Sequence, residues 1–132
     1  MLLDATYWRL GFPTCWCAGR VPDGVIAAMD RAYRKALPIA ADDEAFRREM
    51  AMMLFVRLFA SQAWLLERAL REDVTWGIST YRPRLLWHLE ATIAASEDAG
   101  LDGLRATAMR WRDDLVRRWP DTAPLALYPA FR

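Results

Sequence analysis

The feature that most constrains the fold is an apolar run of 17 residues near the middle of the chain, MAMMLFVRLFASQAWLL at 50–66. This run is at the lower length limit for a membrane-spanning helix, and it contains Arg57, Ser61 and Gln62. An arginine at the centre of a bilayer costs about 2.5–3.5 kcal/mol on insertion scales. We therefore expect a helix in the interior of a protein, covered on several sides, and no membrane span.

Composition and periodicity predict further helices around this run. Alanine and leucine together supply 39 residues, whereas valine and isoleucine supply nine, and this balance favours helices over strands. Apolar residues recur at helical spacing between turn and stop residues. The predicted elements are a short helix within the first ten residues and helices at 22–37, 42–70, 80–99 and 102–119, with stops at Pro38, Gly100 and Pro120 and a loop, EDVTWGIST, at 72–80.

The last 13 residues, PDTAPLALYPAFR, contain three prolines and predict an extended tail. Apolar tail residues are expected to hold it against the helices; these are Leu125, Leu127, Tyr128 and Phe131. The predicted fold is therefore all-α. It is an irregular bundle of about four or five helices with an extended proline-rich C-terminal tail, in a single domain at 1–132.

The charge balance excludes several classes of partner. The chain has 18 basic and 17 acidic residues, which leaves no basic surface for nucleic acid. Two cysteines cannot form a disulfide framework, and the N-terminus has neither a basic region nor a long apolar run. We expect a cytoplasmic protein that binds neither nucleic acid nor a membrane.

Four residues are candidates for chemistry: Cys15, Trp16, Cys17 and His88. Thiols two residues apart can hold a soft metal with His88 as a third ligand, but zinc sites use another spacing and four ligands. A strained disulfide between them is not expected in a reducing compartment. The favoured interpretation is two small buried thiols that flank a core tryptophan, together with a partly buried, hydrogen-bonded histidine. No catalytic residue, metal or cofactor is predicted.

Three stretches together resemble a known family. They are LLDATYWRLGFPTCWCAGRVP at 2–22, REDVTWGISTYRPRLLWHLEA at 71–91 and LALYPAFR at 125–132. The chain resembles the C-terminal helical part of bacterial phosphotransferases of the aminoglycoside phosphotransferase and choline kinase-like class. The resemblance implies a helical wall that covers the acceptor substrate.

The resemblance carries no catalytic residue into this chain. Members of the family have a phosphate-covering loop, a nucleotide-positioning lysine, a His-Gly-Asp loop with a later asparagine, and a metal-binding aspartate. This sequence has no His-Gly-Asp, no asparagine and only one lysine, Lys35. Asp4 resembles the helix-starting aspartate that braces the catalytic loop in the family. The resemblance therefore implies a region that is inactive alone, with its catalytic half missing on the N-terminal side.

Two other functions stay open on sequence grounds. The first is an independent helical interaction module that buries its surplus apolar surface in a homodimer. The second is a small metal- or thiol-dependent protein that uses Cys15 and Cys17, with His88 beside them. Metal analysis and the state of association separate these possibilities from the phosphotransferase interpretation.

Overall fold

A computed structural model describes residues 2–37 and 42–132, except for the side chains of residues 61 and 62. Of the residues, 66% are in helices and 5% in strands, so the prediction of an all-α fold is confirmed. The described elements are α1 Thr6–Arg9, α2 Asp23–Ala36, α3 Asp43–Arg71, β1 Thr75–Trp76, β2 Ser79–Thr80, α4 Tyr81–Asp98, α5 Asp102–Arg118 and a short 3-10 helix Pro129–Phe131.

Helix boundaries follow from local chemistry. The side chain of Asp42 caps α3 by accepting a hydrogen bond from the backbone N–H of Ala45 at 2.9 Å. Gly100 has a positive φ of 65° and ends α4, where the N–H of Leu101 bonds to the carbonyl of Ser96 at 2.8 Å. Both boundaries agree with the prediction. Pro38, the predicted stop after α2, lies outside the described residues.

Helix α4 lies at the centre of the fold, between α3 and α5. Its buried face is partly polar, because it includes Arg84, His88, Thr92 and Ser96 beside Leu85 and Leu89. Thr92 and Ser96 satisfy their hydroxyl groups on carbonyls one turn earlier, at 2.9 and 2.7 Å. These polar groups bond within α4 or to neighbouring elements, except for Nδ1 of His88, which has no hydrogen-bond partner among the described residues.

The segment predicted as a loop at 72–80 contains a small hairpin. Strands β1 and β2 pair in antiparallel register, with Thr75 opposite Thr80 and Trp76 opposite Ser79. Gly77 occupies the first position of the two-residue turn with φ 68°, a conformation that glycine adopts readily. The strands have two residues each, too few for alternating hydrophobicity to reveal them.

The tail is held against the start of the chain. Arg20 and Leu127 form a parallel bridge, in which the N–H of Arg20 bonds to Ala126 and the N–H of Tyr128 bonds to Arg20, both at 2.8 Å. Leu125 is buried, as expected for an anchoring residue. Phe131, also predicted to anchor the tail, instead lies in the 3-10 helix and is exposed.

Helix α3 differs from the prediction that it is covered on several sides. One side is buried through Met50, Leu54 and Leu65, but another exposes Phe59 and Leu66. Among the described residues, no single helix is long and apolar enough to cross a membrane. Only the two parts of α3, Asp43–Ala60 and Ala63–Arg71, bent by 57°, meet that criterion together, by length and composition alone.

Candidate functional site

The three stretches that carry the family resemblance meet in space. The loop at 11–20 contacts the hairpin region at 73–84 on one side and the tail at 125–128 on the other. The N–H of Ile78 bonds to the carbonyl of Trp16 at 2.9 Å, and Arg20 pairs with the tail as described above. We call this assembly of 11–20, 73–84 and 125–128 the three-segment junction.

Arg84 is the central side chain of the three-segment junction. It is 4% exposed, and its guanidinium donates to the carbonyl of Cys15 at 2.8 Å and to the hydroxyl of Ser79 at 2.7 Å. It also donates to the carbonyls of Trp16 and Trp76 and lies 4.8 Å from the ring centroid of Trp76. Burial lowers the pKa of Arg84 from its usual value. The guanidinium is therefore bound to the protein's own backbone and ties the loop to the hairpin.

Sequence reasoning did not identify Arg84 as important, although one signal was present. Arg84 lies three residues after Tyr81 and four before His88, which places it on the buried face of α4. An arginine on such a face requires internal acceptors. The sequence does not reveal that these acceptors are the carbonyls of the loop at 11–20.

Gly77 permits the close contact between hairpin and loop. A Cβ atom at this position would lie 1.7 Å from the carbonyl oxygen of Trp16. Together with the positive φ, this distance excludes an ordinary side chain without backbone movement. The N–H of Ile78 and the guanidinium of Arg84 both donate to the carbonyl of Trp16, and the missing side chain at Gly77 permits this approach.

The structure corrects the interpretation of Cys15 and Cys17 as buried thiols that flank a core tryptophan. Trp16 is 64% exposed, and both thiols are partly exposed. The sequence interpretation failed because the loop turns over the hairpin, and its carbonyl groups, not the Trp16 ring, face the interior.

The two thiols have different surroundings. The Sγ of Cys17 lies 3.3 Å from the hydroxyl of Tyr128, and the Sγ of Cys15 accepts from the backbone N–H of Cys17 at 3.4 Å. Hydrogen bonds from Cys15 and then Tyr128 lower the pKa of Cys17, and the Cys15–Cys17 contact raises the pKa of Cys15. The first thiolate to form is therefore that of Cys17.

His88 is buried in the core against α3, and it does not contact Cys15 or Cys17. It is 2% exposed, and its Nε2 lies 2.9 Å from the carbonyl oxygen of Leu54 on α3. Desolvation lowers the pKa of His88 to about 4, so the ring is neutral near pH 7. In this geometry the ring donates from Nε2 and joins α4 to α3.

Asp4 lies just before α1 and is exposed, and its carbonyl accepts from the N–H of Tyr7 at 3.0 Å. Close by, Arg57 of α3 donates to the hydroxyl of Thr6 at 2.8 Å and to the carbonyl of Leu3 at 3.1 Å. These contacts fix the first turn of the chain on α3. They leave the side chain of Asp4 on the surface.

Within residues 2–37 and 42–132, no three histidine, cysteine, aspartate or glutamate side chains are close enough to hold a metal ion. The trio of Cys15, Cys17 and His88 is therefore not brought together. Because His88 is bound to Leu54 and the thiols lie near Tyr128, a metal centre that needs all three has no geometric basis.

An apolar groove of about 500 Å³ lies between α3, α4 and α5. Leu85 and Leu89 of α4 line it, and Trp111 and Leu115 of α5 form one side. The other side is formed by residues of α3, among them Phe59, Ala63, Leu66 and Leu70. These four and two further exposed apolar residues of α3, which lie outside the groove, make a row that we call the α3 stripe: Met52, Val56, Phe59, Ala63, Leu66 and Leu70.

The α3 stripe has the spacing of a helix-packing surface. Its residues follow each other at intervals of four and three, the pattern that places side chains on one face of a helix, and three of them lie on each side of the bend in α3. Five of them are 37–52% exposed. An exposed apolar row beside an apolar groove is typical of a binding surface.

Comparisons with known proteins identified no relative of this chain. No family model matches the chain, and no curated protein or solved structure matches it significantly.

Proposed function

We propose that the chain is the helical C-terminal part of a phosphotransferase of the aminoglycoside phosphotransferase and choline kinase-like class, and that it is inactive alone. One observation supports the proposal: parts of the stretches at 2–22, 71–91 and 125–132, which hold the resemblance, meet in one junction, where Arg84 bonds to the loop and Arg20 pairs with the tail. In this proposal the protein is cytoplasmic, and the catalytic half joins at 2–22.

Phosphoryl transfer needs a metal ion, a phosphate-binding loop and a positioned base. The single lysine, Lys35, is exposed on α2, and Arg84 and Arg57 are bound to internal acceptors. The purified chain should therefore show no transfer from ATP to an aminoglycoside or choline. Measurable transfer by the purified chain would overturn the proposal.

A longer reading frame gives a sharper test. The DNA upstream of Met1 should encode, in frame, a His-Gly-Asp sequence and a later metal-binding aspartate. In the protein expressed from that longer frame, Asp4→Asn should lower kcat, since Asp4 resembles the residue that braces the catalytic loop. Asp23→Asn, at the exposed start of α2, is the matched control and should leave kcat unchanged. An upstream region without these motifs contradicts the proposal.

A second candidate function, self-association of a helical module, is favoured by the α3 stripe. Four residues of the stripe line the groove, so a two-fold axis through this surface buries the stripe and groove of one copy against those of the other. Ion pairs within the chain, Glu67–Arg71 and Asp114–Arg117, lie near this surface, and the net charge is only +1. Electrostatic repulsion between two copies is therefore weak.

A stable dimer interface covers about 800 Å² on each partner, so residues around the stripe and the groove must take part in it. Sedimentation of the purified chain at micromolar concentration should show a dimer that Leu66→Ser converts to monomer. Ile78→Ser is the control, because Ile78 is similarly exposed but lies on the hairpin. A monomeric wild-type chain, or equal effects of the two substitutions, contradicts this candidate.

A further inference from the structure

The loop at 12–18 presents two thiols on one tight turn. The carbonyl of Cys15 accepts from the N–H of Ala18 at 3.2 Å, which closes a four-residue turn. Such a turn brings the Cα atoms of its first and third residues to about 5–6 Å, within the range that a disulfide spans. The contact between Cys17 N–H and the Sγ of Cys15, at 3.4 Å, keeps the first thiol on the side of Cys17.

The surroundings of the turn make one thiol reactive and keep both accessible. As a thiolate, Cys17 accepts hydrogen bonds from the Cys15 thiol and from the Tyr128 hydroxyl, which is 3.3 Å away. Both thiols are partly exposed. Trp16, between them, is 64% exposed, and its carbonyl is the part held by the hairpin, so its ring does not occupy the interior of the turn.

We propose that Cys15 and Cys17 form a modification site for hydroperoxides, which converts the two thiols reversibly into an intramolecular disulfide. With hydrogen peroxide, the thiolate sulfur of Cys17 attacks one oxygen and the O–O bond breaks, which forms a sulfenic acid; the other oxygen leaves as hydroxide and takes up a proton from solvent to give water, whereas an organic hydroperoxide releases its alcohol. The sulfur of Cys15 then attacks the sulfenic sulfur, the S–S bond forms, and the hydroxyl leaves as a second water with the thiol proton. Two thiols lose two electrons to one peroxide.

The fold gives this reaction a structural consequence. Reduced Cys17 contacts Tyr128, and this side-chain contact links the loop to the tail beside the backbone pairing of Arg20. A disulfide sulfur has no proton to donate and carries no charge, so it accepts from the Tyr128 hydroxyl far more weakly than the thiolate does, and oxidation weakens the Cys17–Tyr128 hydrogen bond. The backbone bond from Tyr128 to Arg20 then opens more often. A disulfide across a single residue is strained and therefore easily reduced, as reversible sites are.

The experiment uses the reduced full chain and hydrogen peroxide. Trypsin releases both cysteines in one peptide, residues 10–20, between Arg9 and Arg20. After oxidation of the folded chain, this peptide should lack two hydrogens, resist alkylation and recover with dithiothreitol. The reaction should run several-fold faster in the folded chain than in urea, because the turn places the sulfurs together.

Variants assign the steps. Cys15→Ser should stop the reaction at a sulfenic acid on Cys17 that a dimedone probe traps, and Cys17→Ser should abolish the fast reaction. Amide exchange of Tyr128 should accelerate on oxidation in the wild-type chain and not in Cys15→Ser. An equal rate in urea, disulfides between chains instead of within the peptide, or first oxidation at Cys15 would overturn the proposal.

Discussion

The three-segment junction and the α3 stripe differ in whether their side chains have partners within the chain. In the junction, the buried guanidinium of Arg84 finds acceptors in the loop and in the hairpin. The α3 stripe exposes apolar side chains beside a groove of about 500 Å³. The loop with Cys15, Trp16 and Cys17, which stands out in the sequence, therefore has a structural role, whereas the surface suited to a partner is a row of common apolar residues.

The largest loss is expected for Arg84→Met. This variant removes the guanidinium donor from the carbonyls of Cys15, Trp16 and Trp76, and should cost about 3–5 kcal/mol of unfolding free energy. Urea unfolding measures the loss. Arg117→Met is the control, because Arg117 is 70% exposed and pairs with Asp114 on the surface, and it should change stability by less than about 1 kcal/mol. Similar losses in both variants would remove the distinction between a buried and a surface arginine.

The next effect is a dependence of stability on pH that comes from His88. Its pKa is about 4 in the folded chain against 6.5 in the unfolded chain, so the unfolded state binds the proton more tightly. The stabilising contribution is complete above pH 6.5 and is lost as the pH falls towards 4, by about 3 kcal/mol in total. The charge of Arg57 adds to the unfavourable effect of protonation.

His88→Gln isolates the contribution of His88 to the pH dependence of stability, since an amide can donate to the carbonyl of Leu54 and does not titrate. Urea unfolding at pH 7 and pH 4.5 should show a loss that is about 2–3 kcal/mol larger for the wild-type chain than for the variant. The carboxylates titrate in both proteins and cancel in the difference. Parallel losses would mean that His88 is accessible to protons in the folded state.

Gly77→Ala tests how closely the hairpin and the loop approach each other. The added methyl group meets the carbonyl of Trp16 at 1.7 Å in a backbone with φ 68°, and should cost about 2 kcal/mol. Gly103→Ala on α5 is the matched control, because nothing lies within 4 Å of its added methyl group. That variant should gain about 0.5–1 kcal/mol by thermal unfolding. A tolerated alanine at 77 would show that the junction is loosely packed.

Sequence patterns predicted the helices because helix periodicity and stop residues are local. Gly100 and Asp42 act at the boundaries where they were expected, through their own backbone or side-chain bonds. Arg84 could not be assigned, since its acceptor at Cys15 lies 69 positions away in the chain. The orientation of Trp16 depends on the same long-range contacts, which explains why the predicted core tryptophan is on the surface.

The sequence could not predict which face of α3 is exposed, for a different reason. Periodicity shows which residues share a face of a helix, but a segment that is apolar nearly all round does not show which face is covered. The covered face carries Leu54, whose carbonyl contacts His88, and Leu65, which packs in the core beside α4. The remaining face is the α3 stripe.

The smallest effect on stability is therefore expected for Leu66→Ala, and its neighbour Leu65 gives the sharpest comparison. Leu65 is fully buried and Leu66 is 37% exposed, although the two leucines are adjacent on one helix. Leu65→Ala should cost about 2–5 kcal/mol because it leaves a cavity, whereas Leu66→Ala should cost less than about 1 kcal/mol. Urea unfolding at nanomolar concentration, where copies are separate, measures the fold alone. Equal losses there would mean that the stripe belongs to the core of a single copy, and a loss for Leu66→Ala that grows with protein concentration would mean that a second copy covers it.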